Sequence, residues 1–264
     1  MSAFKVNTSI FDFSPLFRDM EYLFRGLKET GVDGVELIVG YKSRWSVKRM
    51  RYLSEKYDLP IVSLHQPAWS GFGLTFFDEG FVDLAKTFGA KGITFHPLMN
   101  MSFADPRMKK YLEKLREIRE KKQIDVFLEN LPVKYEPGLL NTFFHSGLDT
   151  TDVEKVAQIT REYGIKMTFD IDHAHVPSPH QEAWFSRIFS QIGNVHLSSF
   201  SKDANHLPLD MGDFHIQAFL QELHRKNYQG LFTLELHYPS LFTFFGYDFA
   251  MIKRSVDIVH GVTV

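Results

Sequence analysis

The sequence predicts an α/β chain folded as one (β/α)8 barrel, and three observations predict it. Short apolar, β-branched runs alternate with amphipathic helical patterns along the 264 residues. The runs start at about residues 4, 34, 61, 92, 125, 166, 194 and 231, a spacing that leaves room for one helix between successive runs. Most of them contain or end on His, Glu or Asp, which a buried strand has no structural reason to do. Strict alternation implies parallel strands joined by crossover helices. Eight such units in a chain of this length match a closed barrel better than an open sheet.

Phe4–Phe11 reads as the first strand, with an amphipathic helix over Pro15–Thr30 whose Leu16, Met20, Leu23, Phe24 and Leu27 share one side. Gly34–Val39 is the second strand, and Val47–Tyr57 the helix after it, ended by Leu59-Pro60. Ile61–His65 is the third strand, Phe81–Phe88 a short helix and Gly92–His96 the fourth strand. Asp105–Lys121 is a longer helix; Asp105 can cap it and Pro106 suits its first turn. Asp125–Glu129 is the fifth strand, and Thr151–Tyr163 a helix opened by a Thr-x-x-Glu capping box, Thr151 to Glu154. Lys166–Asp170 is the sixth strand, followed by a helix around Gln181–Ile192 and the seventh strand, Asn194–His196. Helices Asp213–Asn227 and Tyr247–His260 flank the eighth strand, Leu231–Glu235. No Ser/Gly-rich or Pro-rich linker interrupts this series, so residues 1–264 read as a single domain.

Composition narrows the chemistry. There is no cysteine, which removes disulfides, thiolate metal sites and cysteine nucleophiles. Any metal must be held by His, Asp, Glu and water. The net charge of −2 argues against a nucleic-acid partner, which needs a basic face. The one basic group, Lys42, Arg44, Lys48, Arg49 and Arg51, reads as a solvated helix face. No apolar run is long enough to span a membrane. Residues Met1–Phe13 show no signal-peptide pattern, so a cytoplasmic location is expected.

In the predicted barrel, chemistry belongs at the C-terminal ends of the strands. His65 and His96 end neighbouring strands, each close to a proline, Pro67 and Pro97. Glu129 and Glu235 end strands five and eight; they could bridge metals or act as a general acid/base pair. Asp170 closes strand six and His173 stands on the loop just above it, with Asp172 and His175 as further candidates, one of them to orient an imidazole. His196 ends strand seven and His206 lies on the following loop. Glu36 is the weakest member of the row, because Leu37, Ile38 and Val39 continue its strand. It is expected to contact substrate or a ligand side chain rather than metal.

The segments SLHQP, TFHPL, FLENLP, FDIDHAH, NVHLSSF, HLPLDMGD and TLELH, in this order, resemble the endonuclease IV and xylose isomerase-like superfamily of TIM barrels over nearly the whole chain. The resemblance implies a central metal site of Glu129, Asp170, His196 and Glu235. It implies a second from His65 and His96 with Glu129 bridging, and a third from His173 and His206. The third also needs an aspartate two residues before His206; Ala204 stands there, between Asp203 and Asn205. In the epimerases of this group the two opposed glutamates are acid and base, the roles implied for Glu129 and Glu235. Their substrate-contacting Arg, six residues after the strand-seven His, is replaced by Lys202. Their second Glu, six residues after the strand-five Glu, is replaced by Tyr135 beside Glu136. The loop Tyr41–Trp45 resembles the DNA-reading loop of endonuclease IV.

Three functions follow as expectations. The first is a divalent-metal-dependent isomerase or epimerase of a small sugar or sugar phosphate, working through an enediolate with one to three Zn, Mn, Fe or Mg ions. Glu36, Trp69, Asp172 and Lys202 would contact its substrate. The second is an endonuclease IV-like phosphodiester hydrolase, and the third a non-catalytic sugar-binding barrel. Aromatic loops around Trp69, Phe72, Phe76 and Phe77, Phe143 and Phe144, and Phe242 to Tyr247 read either as an apolar lid or as a homo-oligomer interface.

Overall fold

The structure is a computed structural model. It describes residues 4–11, 20–39, 47–66, 79–132, 149–174, 181–202, 204–236, 242–243 and 246–261. In chain order the elements are β1 (Asn7–Phe11), α1 (Met20–Glu29), β2 (Gly34–Ile38), α2 (Val47–Lys56), β3 (Ile61–His65), α3 (Glu79–Phe88), β4 (Gly92–Phe95) and α4 (Pro106–Lys122). There follow β5 (Asp125–Glu129), a 3-10 turn (Asp149–Thr151), α5 (Val153–Glu162), β6 (Lys166–Asp170), α6 (Ile171–Ala174) and α7 (Gln181–Ile188). After a 3-10 turn (Phe189–Gln191) come β7 (Ile192–Leu197), α8 (Ile216–Arg225), β8 (Leu231–Leu234), β9 (Phe242–Thr243), β10 (Gly246–Tyr247) and α9 (Phe249–His260). The first eight strands are hydrogen-bonded in the order β1 to β8 as a closed parallel barrel; β9 and β10 form a separate two-stranded ribbon. Among the described residues no helix is long and apolar enough to cross a membrane.

The chain comprises two compact units, Met1–Val62 with His196–Val264, and Ser63–Val195. In the first, β1 pairs in parallel with β2 from Asn7–Gly34 to Phe11–Ile38, and with β8 at Asn7–Thr233 and Thr8–Leu234. Helix α1 buries Leu23, Phe24 and Leu27, as its periodicity predicts. Gly26 sits so close to Phe249 of α9 that a Cβ would lie 2.2 Å from the ring. At the surface Glu21 gathers Lys56, Tyr57 and Arg49, which together lower the pKa of its carboxyl to about 2.

In the second unit β3, β4, β5 and β6 pair in parallel in sequence order. The interior of this wall carries a hydrogen-bonded hydroxyl pair, Thr94 and Thr168, 2.9 Å apart. Phe127 of β5 is buried, and its ring occupies the space where side chains would stand at Gly92 and Gly193. A Cβ on Gly193 would lie 2.4 Å from that ring. Gly193→Ala is therefore expected to overpack the interior and cost about 1–3 kcal/mol. Urea unfolding should show a lower midpoint with an unchanged slope; a midpoint equal to the parent's would mean that Phe127 can move aside.

Several element boundaries depart from expectation. The strand β1 begins at Asn7 rather than Phe4, and α8 begins at Ile216 rather than Asp213. The expected strand Asn194–His196 is the six-residue β7, and the helix before it stops at Ile188. The capping box at Thr151 does not form. Thr151 is used in the 3-10 turn, and Asp152 caps α5 by accepting from the backbone N–H of Glu154 and Lys155. At α4 the expected cap is present: the Asp105 side chain accepts from Arg107 N–H, with proline in the first turn.

Candidate metal centre

In the second unit each strand delivers a ligand-type side chain at its C-terminal end. His65 is the last residue of β3, His96 follows β4, and Glu129 and Asp170 are the last residues of β5 and β6. His65 Nε2 lies 3.1 Å and His96 Nε2 2.8 Å from the same oxygen, Glu129 Oε2. The two imidazoles meet edge to face, ring centres 4.9 Å apart. These three residues can each offer an atom within 4.8 Å of the others. Burial holds the His96 imidazole below its ordinary range, with Glu129 opposing that shift. The ring is thus neutral near pH 7, the form that binds metal. Its buried Nδ1 has no hydrogen-bond partner among the described residues.

The frame that aims these groups is built from residues the sequence reading passed over. Gln66 donates its backbone N–H to Thr94 O, and its side chain accepts from His96 N at 3.1 Å. Tyr111 of α4 donates its hydroxyl to His96 O at 2.5 Å, and burial raises that hydroxyl's pKa. Asn130, fully buried directly after Glu129, acts like an extra rung between strand ends. Its amide donates to Asp170 O and accepts from Asp170 N, both at 2.9 Å. Asn130 O lies 3.0 Å from His173 Nδ1, and Asp170 Oδ1 accepts from His173 N at 2.8 Å. His173 therefore belongs to a one-turn helix, α6, rather than to the loop expected above strand six. It also approaches Glu129 Oε1 at 3.4 Å. Asp172, in the same turn, is buried.

In the first unit His196, the fifth residue of β7, lies between two carboxylates. Its Nε2 is 2.8 Å from Glu36 Oε1 and its Nδ1 2.6 Å from Glu235 Oε2. Glu235 follows β8 directly and is placed by its backbone N–H, which donates to Leu197 O. His206 adopts a left-handed backbone (φ 50°), with Nδ1 3.2 Å from Glu235 O. Its loop is fixed on both sides: Ser199 and Leu207 exchange backbone hydrogen bonds, and α9 holds Leu209 through Ser255 Oγ and Asp210 through Arg254. Lys202 is exposed. Ala204 offers no side-chain donor; its carbonyl accepts from Ser201 N. Trp69, Asp203, His175 and the loop from Tyr41 to Trp45 lie outside the described residues, as do Phe72, Phe76, Phe77, Phe143, Phe144, Phe244 and Phe245.

The donor set fits a divalent cation. Five carboxylates, of Glu36, Glu129, Asp170, Asp172 and Glu235, and three imidazoles, of His65, His96 and His196, are buried. Among the described residues no Lys or Arg is buried with them. Buried carboxylates without a buried cationic side chain require protons or a metal.

A protein family described as xylose isomerase-like TIM barrel matches residues 24–257. The chain is 26% identical over 161 residues to the uncharacterized protein MJ1188 of Methanocaldococcus jannaschii, a match covering 59% of this chain. The matched region spans 55% of that protein, about half its length. Among solved structures, a D-allulose 3-epimerase from Methylomonas sp. in complex with D-allulose matches with TM-score 0.70 and 14% identity, covering 99% of this chain and 98% of that one. An AP endonuclease, family 2, from Brucella melitensis matches with TM-score 0.62 and 16% identity, covering 89% and 93%. At these identities the likeness is one of fold.

Proposed function

This chain belongs to the xylose isomerase-like TIM barrel family, and from that premise we propose that it is a divalent-metal-dependent isomerase or epimerase of a small sugar or sugar phosphate. The observation that carries the reading is the set of five buried carboxylates with no buried Lys or Arg among the described residues. We take Glu129, Asp170, His196 and Glu235 as the central ligand set, because each stands at the C-terminal end of its strand, where barrel enzymes do their chemistry. His65 and His96, which share Glu129 Oε2, and His173 with His206 are the side chains that further ions would use. Bound there, a divalent cation would polarise the substrate carbonyl and its neighbouring hydroxyl.

The protein's own side chains do the rest. One of Glu129 and Glu235 removes the proton from the carbon beside the carbonyl, and the C–H electron pair passes into the enediolate. The other glutamic acid returns a proton to the opposite face, so the carbon inverts and each carboxyl ends one proton richer or poorer. Asn130 and Gln66 keep the strand ends in register, so that the carboxylates do not move during proton transfer. Asp172 and Lys202 would meet the substrate's hydroxyls or phosphate. That a protein of the same fold is a D-allulose 3-epimerase supports the substrate class.

A second reading, phosphodiester hydrolysis, draws on the pairing of both His65 and His96 with Glu129, which a one-metal isomerase does not require. Metal content per chain, followed by parallel assays on ketoses and on a duplex with an abasic site, separates the two. The expected result is one tightly held ion with ketose interconversion. Two or three ions with duplex cleavage would replace it with the hydrolase, and metal without either activity with a sugar-binding barrel.

A further inference from the structure

Glu36 has a position that neither a substrate contact nor a packing role explains. It is the third of five residues in β2, every one of them buried, and its own exposure is 0%. A substrate arriving at the strand ends does not reach a group enclosed within the strand body. A carboxylate enclosed there is also a poor packing element, since taking it out of water costs several kcal/mol unless a partner offsets it. Beside it stands the imidazole of His196, likewise 0% exposed, whose Nε2 is 2.8 Å from Glu36 Oε1. The other ring nitrogen, Nδ1, faces Glu235 Oε2 at 2.6 Å.

A histidine that binds metal through one nitrogen must carry its proton on the other. An acceptor beside that second nitrogen selects the tautomer, holds the ring plane and makes the ligand nitrogen more basic. With Glu235 as a ligand, the metal side of the ring would be the Nδ1 side, so Nδ1 would be the ligand nitrogen and Nε2 would carry the proton toward β2. We propose that Glu36 is the positioning residue that fixes His196 in this tautomer; the proposal rests on the reading of His196 and Glu235 as metal ligands. Glu36 would touch neither substrate nor metal, and would act on both through the imidazole.

The test uses the full chain and Zn²⁺ alone. In competition with a chromophoric chelator, Glu36→Gln is expected to bind Zn²⁺ about 10- to 100-fold more weakly than the parent, while the metal-free variant unfolds no earlier than the metal-free parent. Equal Zn²⁺ affinities would overturn the proposal. If Glu36→Gln does not fold, 15N-histidine NMR of the Zn²⁺-loaded parent decides. A His196 ring protonated at Nε2 and metal-bound at Nδ1 supports the proposal; Zn²⁺ at Nε2 overturns it. Failure of the functional reading looks different. A weakened variant beside a parent inert toward ketoses supports Glu36 and overturns the isomerase. Equal affinities in a parent that interconverts ketoses overturn Glu36 and keep the isomerase.

Discussion

Glu235→Gln is expected to lower the turnover of ketose interconversion by about 10³-fold or more while leaving the fold intact. General acid–base catalysis by one positioned carboxyl contributes roughly 10²–10⁴-fold, and Glu235 is also a proposed metal ligand, so its loss removes two contributions together. Glutamine fills the same volume and its backbone N–H can still donate to Leu197 O, so the end of β8 has no reason to move. What changes is charge: His196 Nδ1 loses the carboxylate 2.6 Å away, and on the proposed mechanism the reacting carbon loses one of its two proton carriers. The two contributions can be told apart at saturating metal. If Glu129 still removes a proton from one face, the variant exchanges the substrate's carbon-bound hydrogen with D₂O while failing to invert it. Turnover like the parent's, with metal occupancy confirmed, would remove Glu235 from the chemistry.

The sequence made legible those side chains whose position is local and left illegible those whose meaning depends on a partner far along the chain. His65, Glu129 and Asp170 stand out because an apolar strand body stops on a polar residue, and the structure puts all three at strand ends. Glu36 is a polar residue inside a run that stays apolar on both sides, and only the fold brings it against His196. Asn130 reads as the start of a loop. Its clamp on Asp170 exists because β5 and β6 pair with Glu129 opposite Thr168, which puts its amide level with the Asp170 backbone. The short reading of β7 has the same origin: Gly193 interrupts the apolar pattern before Asn194, yet Gly193 belongs to the strand and makes room for Phe127. At α5 the rule failed on a competitor one residue away, since Asp152 accepts two backbone N–H groups and leaves Thr151 no cap to form.

Stripping the metal is expected to lower the melting temperature by about 8–16 °C. A ligand that binds only the folded state at about 1,000 times its dissociation constant stabilises by roughly 4 kcal/mol, and for a chain of this size each kcal/mol shifts the midpoint by about 2–4 °C. The physical source is the buried charge. With no Lys or Arg among the buried described residues, the buried carboxylates of Glu36, Glu129, Asp170, Asp172 and Glu235 must be met by protons, hydrogen bonds or a cation, and on the proposed reading a divalent cation at the ligand carboxylates lowers that cost. The unfolded chain scatters the same residues and binds the cation weakly, so the gain appears in the folded state alone. Scanning calorimetry with EDTA, then with excess Mn²⁺ or Zn²⁺ restored, measures it directly. A reversible upward shift that grows with the logarithm of free metal matches this linkage. Coincident melting curves would mean that protons and hydrogen bonds already satisfy the buried carboxylates, and the metal-dependent reading of the site would fall with the prediction.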